Sequence, residues 1–253
     1  MDLNLQQKNA LVTGGATGLG RELVRSLVKE GVNVCFTYRS HPEEALALVN
    51  ELNKPGHITV VAIQTNLGDS REIEDLFHNG LNTFGQFDIL INNAAIWLSG
   101  LVTDISLDDW DRVMNVNLKS VFHLSQLFVN QCLDKKIAGS ILNITSQAAF
   151  HGSTTGYSHY AASKAGLVAF SISLAREVAK QNINVNNIAV GIMDTEMIRH
   201  NLEKDPQYYL NRIPIGRVAN PTEIADIGVF LVSEKASYMT GATLDVTGGM
   251  LMR

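Results

Sequence analysis

Short apolar runs alternate with amphipathic stretches along the whole chain, and this alternation restricts the fold more than any other feature. Lys8 to Thr13, Val32 to Tyr38, Ile58 to Gln64, Ile89 to Asn92, Ser140 to Thr145, Ile183 to Ala189 and Thr243 to Val246 read as strands. Between them, helical periodicity covers Leu19 to Glu30, Glu43 to Leu52, Ser70 to Phe84, Asp108 to Leu133, Tyr157 to Lys180 and Thr222 to Ser233. Parallel neighbours need a crossover, and right-handed crossovers put helices on both faces of the sheet. The expectation is an α/β chain with a doubly wound parallel sheet of about seven strands. No linker, repeat or break in composition divides the 253 residues, so one domain over 1–253 is expected. In such a sheet, ligands bind beyond the C-terminal ends of the strands.

The first such end carries Thr13-Gly14-Gly15-Ala16-Thr17-Gly18-Leu19-Gly20 and runs directly into a helix. Glycines at 14, 18 and 20 let the backbone turn tightly, approach a pyrophosphate and pack the helix on the sheet. Exposed N–H groups and the helix dipole favour an anion there. The second strand ends Phe36-Thr37-Tyr38-Arg39-Ser40-His41. An Asp or Glu at this end would hold the free 2′-hydroxyl of NAD, and neither is present. Arg39 and Ser40 suit a 2′-phosphate through charge-assisted hydrogen bonds, which favours NADP over NAD. A plain solvated loop arginine is the alternative.

A net charge of -5 argues against nucleic acid or an anionic membrane as the main partner. No signal peptide or run of transmembrane length is visible, and Cys35 and Cys132 lack metal-ligand spacing. A soluble cytoplasmic protein with reduced core cysteines is expected.

Tyr160 and Lys164 stand at i and i+4 on one helix, one turn apart. A phenol ordinarily titrates near ~10, and a close ammonium pulls that value down. Two unit charges ~4 Å apart are worth about 1 kcal/mol in water and about 4 at an effective dielectric of ~20. Only a sheltered pair therefore makes a useful acid at neutral pH. Spacing alone leaves a surface tyrosine and a solvated lysine as the plainer reading.

Motif order changes that balance. The glycine turn is followed by Asn92-Asn93-Ala94-Ala95 and Asn115-Val116-Asn117-Leu118. Leu142-Asn143-Ile144-Thr145-Ser146, then Tyr160 with Lys164, then Gly191 to Thr195 complete the series. With these six in order, the sequence resembles the short-chain dehydrogenase/reductase family nearly end to end, which implies a Rossmann-type fold. The resemblance implies a catalytic tetrad. Ser146 would bond the substrate carbonyl oxygen and Tyr160 would give it a proton. Lys164 would lower the tyrosine pKa and hold the nicotinamide ribose, and Asn117 would position a proton-supplying water. By the same resemblance, Gly14, Thr17, Gly18 and Leu19 line the pyrophosphate, and Tyr38, Arg39 and Ser40 the 2′-phosphate end. Asn66 and Leu67 flank the adenine, Asn93 and Ala94 the adenosine ribose, and Gly191, Met193 and Thr195 the nicotinamide.

Departures from the family pattern are Asn66 for Asp, Ala95 for Gly, Val190 for Pro and Thr247 for Asp. Ser146 and Tyr160 are also fourteen apart where thirteen is commoner. Val190 puts the rigidity of the next loop in question, and the longer spacing suggests a bulged loop before the tyrosine. Trp97, Phe150, Met197 and Tyr208 are candidate apolar walls for substrate, Trp97 foremost, and each fits a core or subunit contact equally. His151 and His159 lack a second ligand at metal spacing. The implied activity is an NADP-dependent carbonyl reductase acting on a small ketone or secondary alcohol. Relatives that reduce 3-oxoacyl thioesters on acyl carrier protein tend to carry arginines where this chain has Lys135-Lys136 and Lys180-Gln181, so that partner stays open. An NAD(P)-dependent alcohol, polyol or sugar dehydrogenase is the second reading, and a catalytically silent nucleotide sensor the third. A homotetramer is implied, and Phe122, Leu124, Phe128, Phe170 and Ile172 fit such burial or a monomer core equally.

Overall fold

The computed structural model describes residues 2–53, 56 and 58–253, apart from the side chains of Met197, His200 and Asn201. Seven parallel strands form one sheet: β1 (Asn9–Val12), β2 (Asn33–Tyr38), β3 (Val60–Gln64), β4 (Ile89–Asn92), β5 (Gly139–Ser146), β6 (Ile183–Val190) and β7 (Thr243–Val246). Their order is β3-β2-β1-β4-β5-β6-β7. The chain steps outward from β1 to β3 and then returns to β4, so the winding reverses between β1 and β4 and opens a crevice there.

The helices are α1 (Gly18–Lys29), α2 (Pro42–Leu52), α3 (Ser70–Phe84), α4 (Leu107–Met114), α5 (Ser120–Lys135), α6 (Ala148–His151), α7 (Ser158–Val178), α8 (Glu196–Lys204), α9 (Pro206–Leu210) and α10 (Pro221–Leu231). α1, α2 and α10 cover one face through Leu23, Leu27, Leu48 and Val229. α3, α5 and α7 cover the other through Leu76, Phe77, Phe128 and Val178. Local signals fix several ends. Asp69 caps α3 by accepting from Arg71 N at 2.8 Å, and Gly85 stops it with φ 75°. Asn220 and Glu223 close a reciprocal capping box on α10.

Two expectations are corrected, and one open alternative is resolved. The stretch Asp108 to Leu133 is not one α-helix: α4 and α5 are joined by a π-turn over Asn115–Lys119. Its cause is visible, since Asn117 bonds across to the β4 loop and draws the backbone outward there. β6 runs to Val190, because valine keeps the N–H and free φ that a proline lacks and stays in register opposite Ser146 and Val246. Leu124 and Phe128 are fully buried core residues, whereas Phe122 is 48% exposed and meets Phe170 edge-on at 5.9 Å. Cys35 and Cys132 are unpaired and buried, and burial pushes both thiols up to about 12. Among the described residues no helix is long and apolar enough to cross a membrane.

Gly20 shows how tightly the first turn is built. An added Cβ would lie 1.9 Å from Gly14 O and 2.6 Å from Asn93 Nδ2. A backbone carbonyl cannot step aside cheaply. Gly20→Ala is expected to cost about 3 kcal/mol, at the upper end for overpacking, and to lower Tm by roughly 6–12 °C. A thermal melt within about 2 °C of wild type would contradict that packing.

Candidate active site

β1, β4, β5 and β6 end at one edge, and each delivers a polar group there. At β1 the turn needs left-handed backbone at Gly14 (φ 67°) and Gly18 (φ 53°). Thr13 organises it: its hydroxyl accepts from Asn93 N and Ala94 N, each at 3.0 Å. Asn93 Nδ2 donates to Thr13 O at 3.0 Å and Gly14 O at 3.1 Å, and Gly14 N donates to Thr37 Oγ1 at 3.0 Å. Sequence reasoning gave Asn93 a ribose contact, but its amide is engaged in bracing the turn. Thr13 adjoins Gly14 in sequence, which is a signal for its role, whereas Thr37 lies 23 positions away and only the fold brings it to the turn.

The turn fits a dinucleotide pyrophosphate. Thr17 precedes α1 without capping it through its side chain, and the first turn of α1 carries no acidic residue. An anion therefore meets N–H groups and the positive end of the helix dipole without a competing carboxylate. Leu19 is buried beneath the turn, and Thr195 packs its methyl against Gly18. Leu67 is buried, while Asn66 is exposed, with its amide oxygen accepting from Gly68 N at 3.2 Å. Tyr38 is partly buried at the end of β2, and Arg39 and Ser40 follow it exposed. Arg39 forms no ion pair among the described residues.

Beyond β6, the loop is held in place without a proline. Gly191 N donates to Val246 O at 3.2 Å, Ala219 N to Ile192 O at 3.1 Å, and Asp194 N to Ala219 O at 3.0 Å. These bonds make a short bridge between Met193 and Ala219. Thr247 is buried and exchanges bonds with Leu251, accepting from its N at 3.1 Å.

Ser146 ends β5, and α7 is fastened to that strand by two bonds. Thr145 Oγ1 donates to Lys164 O at 3.1 Å, and Lys164 Nζ donates to Ile144 O at 2.8 Å. This registration brings Ser146 beside Tyr160 across the fourteen-residue interval, which α6 and a turn absorb. Asn117 is fully buried in the π-turn. It exchanges bonds with Ile96, accepting from its N at 2.8 Å and donating to its O at 3.0 Å, and it donates to Ser163 Oγ at 3.2 Å. Ser163 in turn donates to the Tyr160 main-chain O at 2.7 Å, which links Asn117 to the tyrosine's backbone, while Lys164 is tied to β5 through Ile144 O.

The electrostatics differ from the simple pair argument. Burial raises the Tyr160 phenol above its ordinary value, and the Ser146 hydroxyl pulls it only partly back. The Lys164 ammonium lies 5.8 Å from the tyrosine ring centroid and is bonded to Ile144 O, and burial outweighs its pull on the phenol. Desolvation instead lowers Lys164 itself to about 8.

On the substrate side, Trp97 stacks on Tyr157 with centroids 4.2 Å apart. Phe150 lies under the Arg253 guanidinium at 3.6 Å. Tyr208 is 46% exposed on α9, its hydroxyl accepting from Arg212 at 2.8 Å. The Met197 side chain is outside the described residues. His159 is buried and His151 exposed, and the described residues contain no cluster able to hold a metal.

A family model described as Enoyl-(Acyl carrier protein) reductase matches residues 14–251. The chain is 37% identical over 245 residues to 3-oxoacyl-(acyl-carrier-protein) reductase FabG of Staphylococcus aureus, covering 97% of this chain and 98% of that one. The chain belongs to the short-chain dehydrogenase/reductase family. It is also 37% identical over 250 residues to the FabG reductase of Aquifex aeolicus, with 99% and 100% coverage. Among solved structures, a blue fluorescent protein from a metagenomic library in complex with NADPH superposes with TM-score 0.91 at 32% identity, covering 98% of this chain and 100% of that one. A short-chain dehydrogenase from Burkholderia cenocepacia in complex with NADP gives 0.89 at 31%, with 97% and 98% coverage. This member of the short-chain dehydrogenase/reductase family is thus an oxidoreductase on a Rossmann-type sheet.

Proposed function

We propose that the protein is an NADP-dependent carbonyl reductase that interconverts a ketone and a secondary alcohol. The observation carrying this reading is the Ser146–Tyr160–Lys164–Asn117 group at the same strand edge as the glycine turn, with Asn117, Lys164 and Ser146 buried and Tyr160 partly exposed. A nicotinamide dinucleotide bound there supplies the hydride. Ser146 orients the substrate carbonyl oxygen by a hydrogen bond, and Tyr160 gives that oxygen its proton. A phenol raised by burial is fully protonated at neutral pH, which is the state that reduction needs. Lys164, with its pKa near 8, keeps a proton at neutral pH and lies close enough to that pH to exchange it. Asn117 holds Ile96 and Ser163, and through them the walls around the phenol.

NADP is preferred because Arg39 stands exposed at the end of β2 with no Asp or Glu in place to hold a 2′-hydroxyl. The solved neighbours with bound NADPH and NADP support the same choice. Names of the curated relatives support a 3-oxoacyl thioester carried on acyl carrier protein as the substrate to try first. The proposal extends to a cytoplasmic homotetramer, with the exposed Phe122–Phe170 edge as a subunit contact.

The test is a panel of 3-oxoacyl thioesters, aliphatic and aromatic ketones, quinones and aldoses, assayed with NADPH and with NADH. Thioester or ketone reduction with NADPH is expected. Sugar oxidation without ketone reduction would favour the polyol and sugar dehydrogenase reading. Arg39→Ala is expected to raise KM for NADPH about 10- to 100-fold, as one charge-assisted bond predicts, and to leave NADH unaffected. Equal loss with both cofactors would remove Arg39 from the 2′-phosphate.

A further inference from the structure

The residue following Arg39 and Ser40 has no part in the reading above, and its surroundings give it one. His41 immediately precedes α2 and does not use its side chain to cap that helix. Its Nδ1 lies 3.2 Å from Ser40 Oγ. Its Nε2 faces Glu196 Oε2 at 3.7 Å, and Glu196 begins α8, 155 positions along the chain (196 − 41). The same loop packs Thr195 against Gly18. The His41–Glu196 pair thus reaches from the β2–α2 turn to the segment lying on the glycine turn.

We infer that His41 is a specificity-determining residue for the cofactor's 2′-phosphate, and that Glu196 is a built-in competitor for it. This rests on the NADP reading. An anion drawn to Arg39 and Ser40 arrives beside His41, whose Ser40 contact directs Nε2 outward. That ring nitrogen can serve either the Glu196 carboxylate or a phosphate oxygen. The phosphate carries up to two charges and three acceptor oxygens, against one charge on the carboxylate, so it wins the ring. A 2′-hydroxyl offers no such charge and leaves the His41–Glu196 pair closed. Discrimination between the two cofactors then comes from the ligand gained, and the carboxylate that must be displaced limits it.

Calorimetric titration of the full chain with 2′,5′-ADP and with 5′-AMP isolates this term, because the ligands differ only in the 2′-phosphate and neither contains nicotinamide. Wild type is expected to bind 2′,5′-ADP at least tenfold more tightly than 5′-AMP. His41→Ala should weaken 2′,5′-ADP about fivefold to tenfold and leave 5′-AMP unchanged, as expected for one exposed charge-assisted contact. Glu196→Gln should tighten 2′,5′-ADP about threefold, and that gain should vanish when His41→Ala is also present. Unchanged 2′,5′-ADP binding in His41→Ala, beside a clear wild-type preference, overturns the His41 assignment alone. A gain from Glu196→Gln that survives in the double variant overturns the competition and leaves only long-range repulsion. Equal wild-type affinity for the two ligands instead overturns the NADP reading, and this inference with it.

Discussion

Tyr160→Phe is expected to lower kcat about 10³-fold, within the range of 10²–10⁴ typical for losing a general acid. The dissociation constant for NADPH should stay within about twofold. The glycine turn, Arg39 and Lys164 are untouched, and the bond from Ser163 to the main-chain carbonyl at position 160 is kept. Ser146 still polarises a carbonyl, so residual turnover above the uncatalysed rate is expected. The decisive comparison is single-turnover NADPH oxidation against fluorescence titration of the cofactor on the same preparation. Turnover above about a tenth of wild type would remove Tyr160 as the acid.

Lys164→Met is expected to inactivate the enzyme and yet stabilise the fold at neutral pH. Lys164 is only 3% exposed, and desolvation lowers its pKa from 10.5 to about 8. The sign follows from proton counts. Between about 8 and 10.5 the unfolded chain holds a proton that the folded chain has lost, so stability rises with pH across that window. Below about 8 both states are protonated and the folded protein carries the whole cost of the buried charge. A shift from 10.5 to about 8 corresponds to roughly 3 kcal/mol. Methionine keeps the unbranched stem and loses the charge, along with one hydrogen bond to Ile144 O worth about 1 kcal/mol. The net is about 1–2 kcal/mol in favour of the variant, or a Tm roughly 3–6 °C higher at pH 7. That gain should vanish within the window between about 8 and 10.5 and reverse above it, where neutral Lys164 keeps its bond to Ile144 O. A variant that melts lower at pH 7 would show that the hydrogen bond outweighs the buried charge. Such a gain at the expense of turnover is the trade expected where an active site keeps a costly group.

Much of the architecture was legible in the residues. Strand and helix periodicity placed β1 to β7 close to their observed limits, because parallel strands buried on both faces read as continuous apolar runs. The helices α6, α8 and α9 were missed: they are four to nine residues long, too short for periodicity to register. The π-turn at Asn115–Lys119 was hidden for a different reason. Its cause is a bond from Asn117 to Ile96, 21 residues earlier, and no local propensity encodes that. Exposure of the apolar residues on α5 also depended on which face met β4 and β5. Phe128 went inward and Phe122 outward, six residues apart on one helix.

The sequence by itself determined the parallel α/β order, the glycine turn after β1 and the residue types gathered at the edge proposed to be catalytic. These depend on residue types at short spacing, where sterics and periodicity act directly. Only the tertiary structure decided the charge states. The phenol was expected to be acidified by its neighbour, and desolvation in the folded chain instead raises the phenol and lowers the ammonium. Tertiary packing also turned Asn93 onto the turn's own carbonyls and brought His41, after β2, to Glu196, after β6. The reason is general: desolvation and long-range polar contacts depend on what the rest of the chain places around a group, which its own neighbours in sequence do not specify.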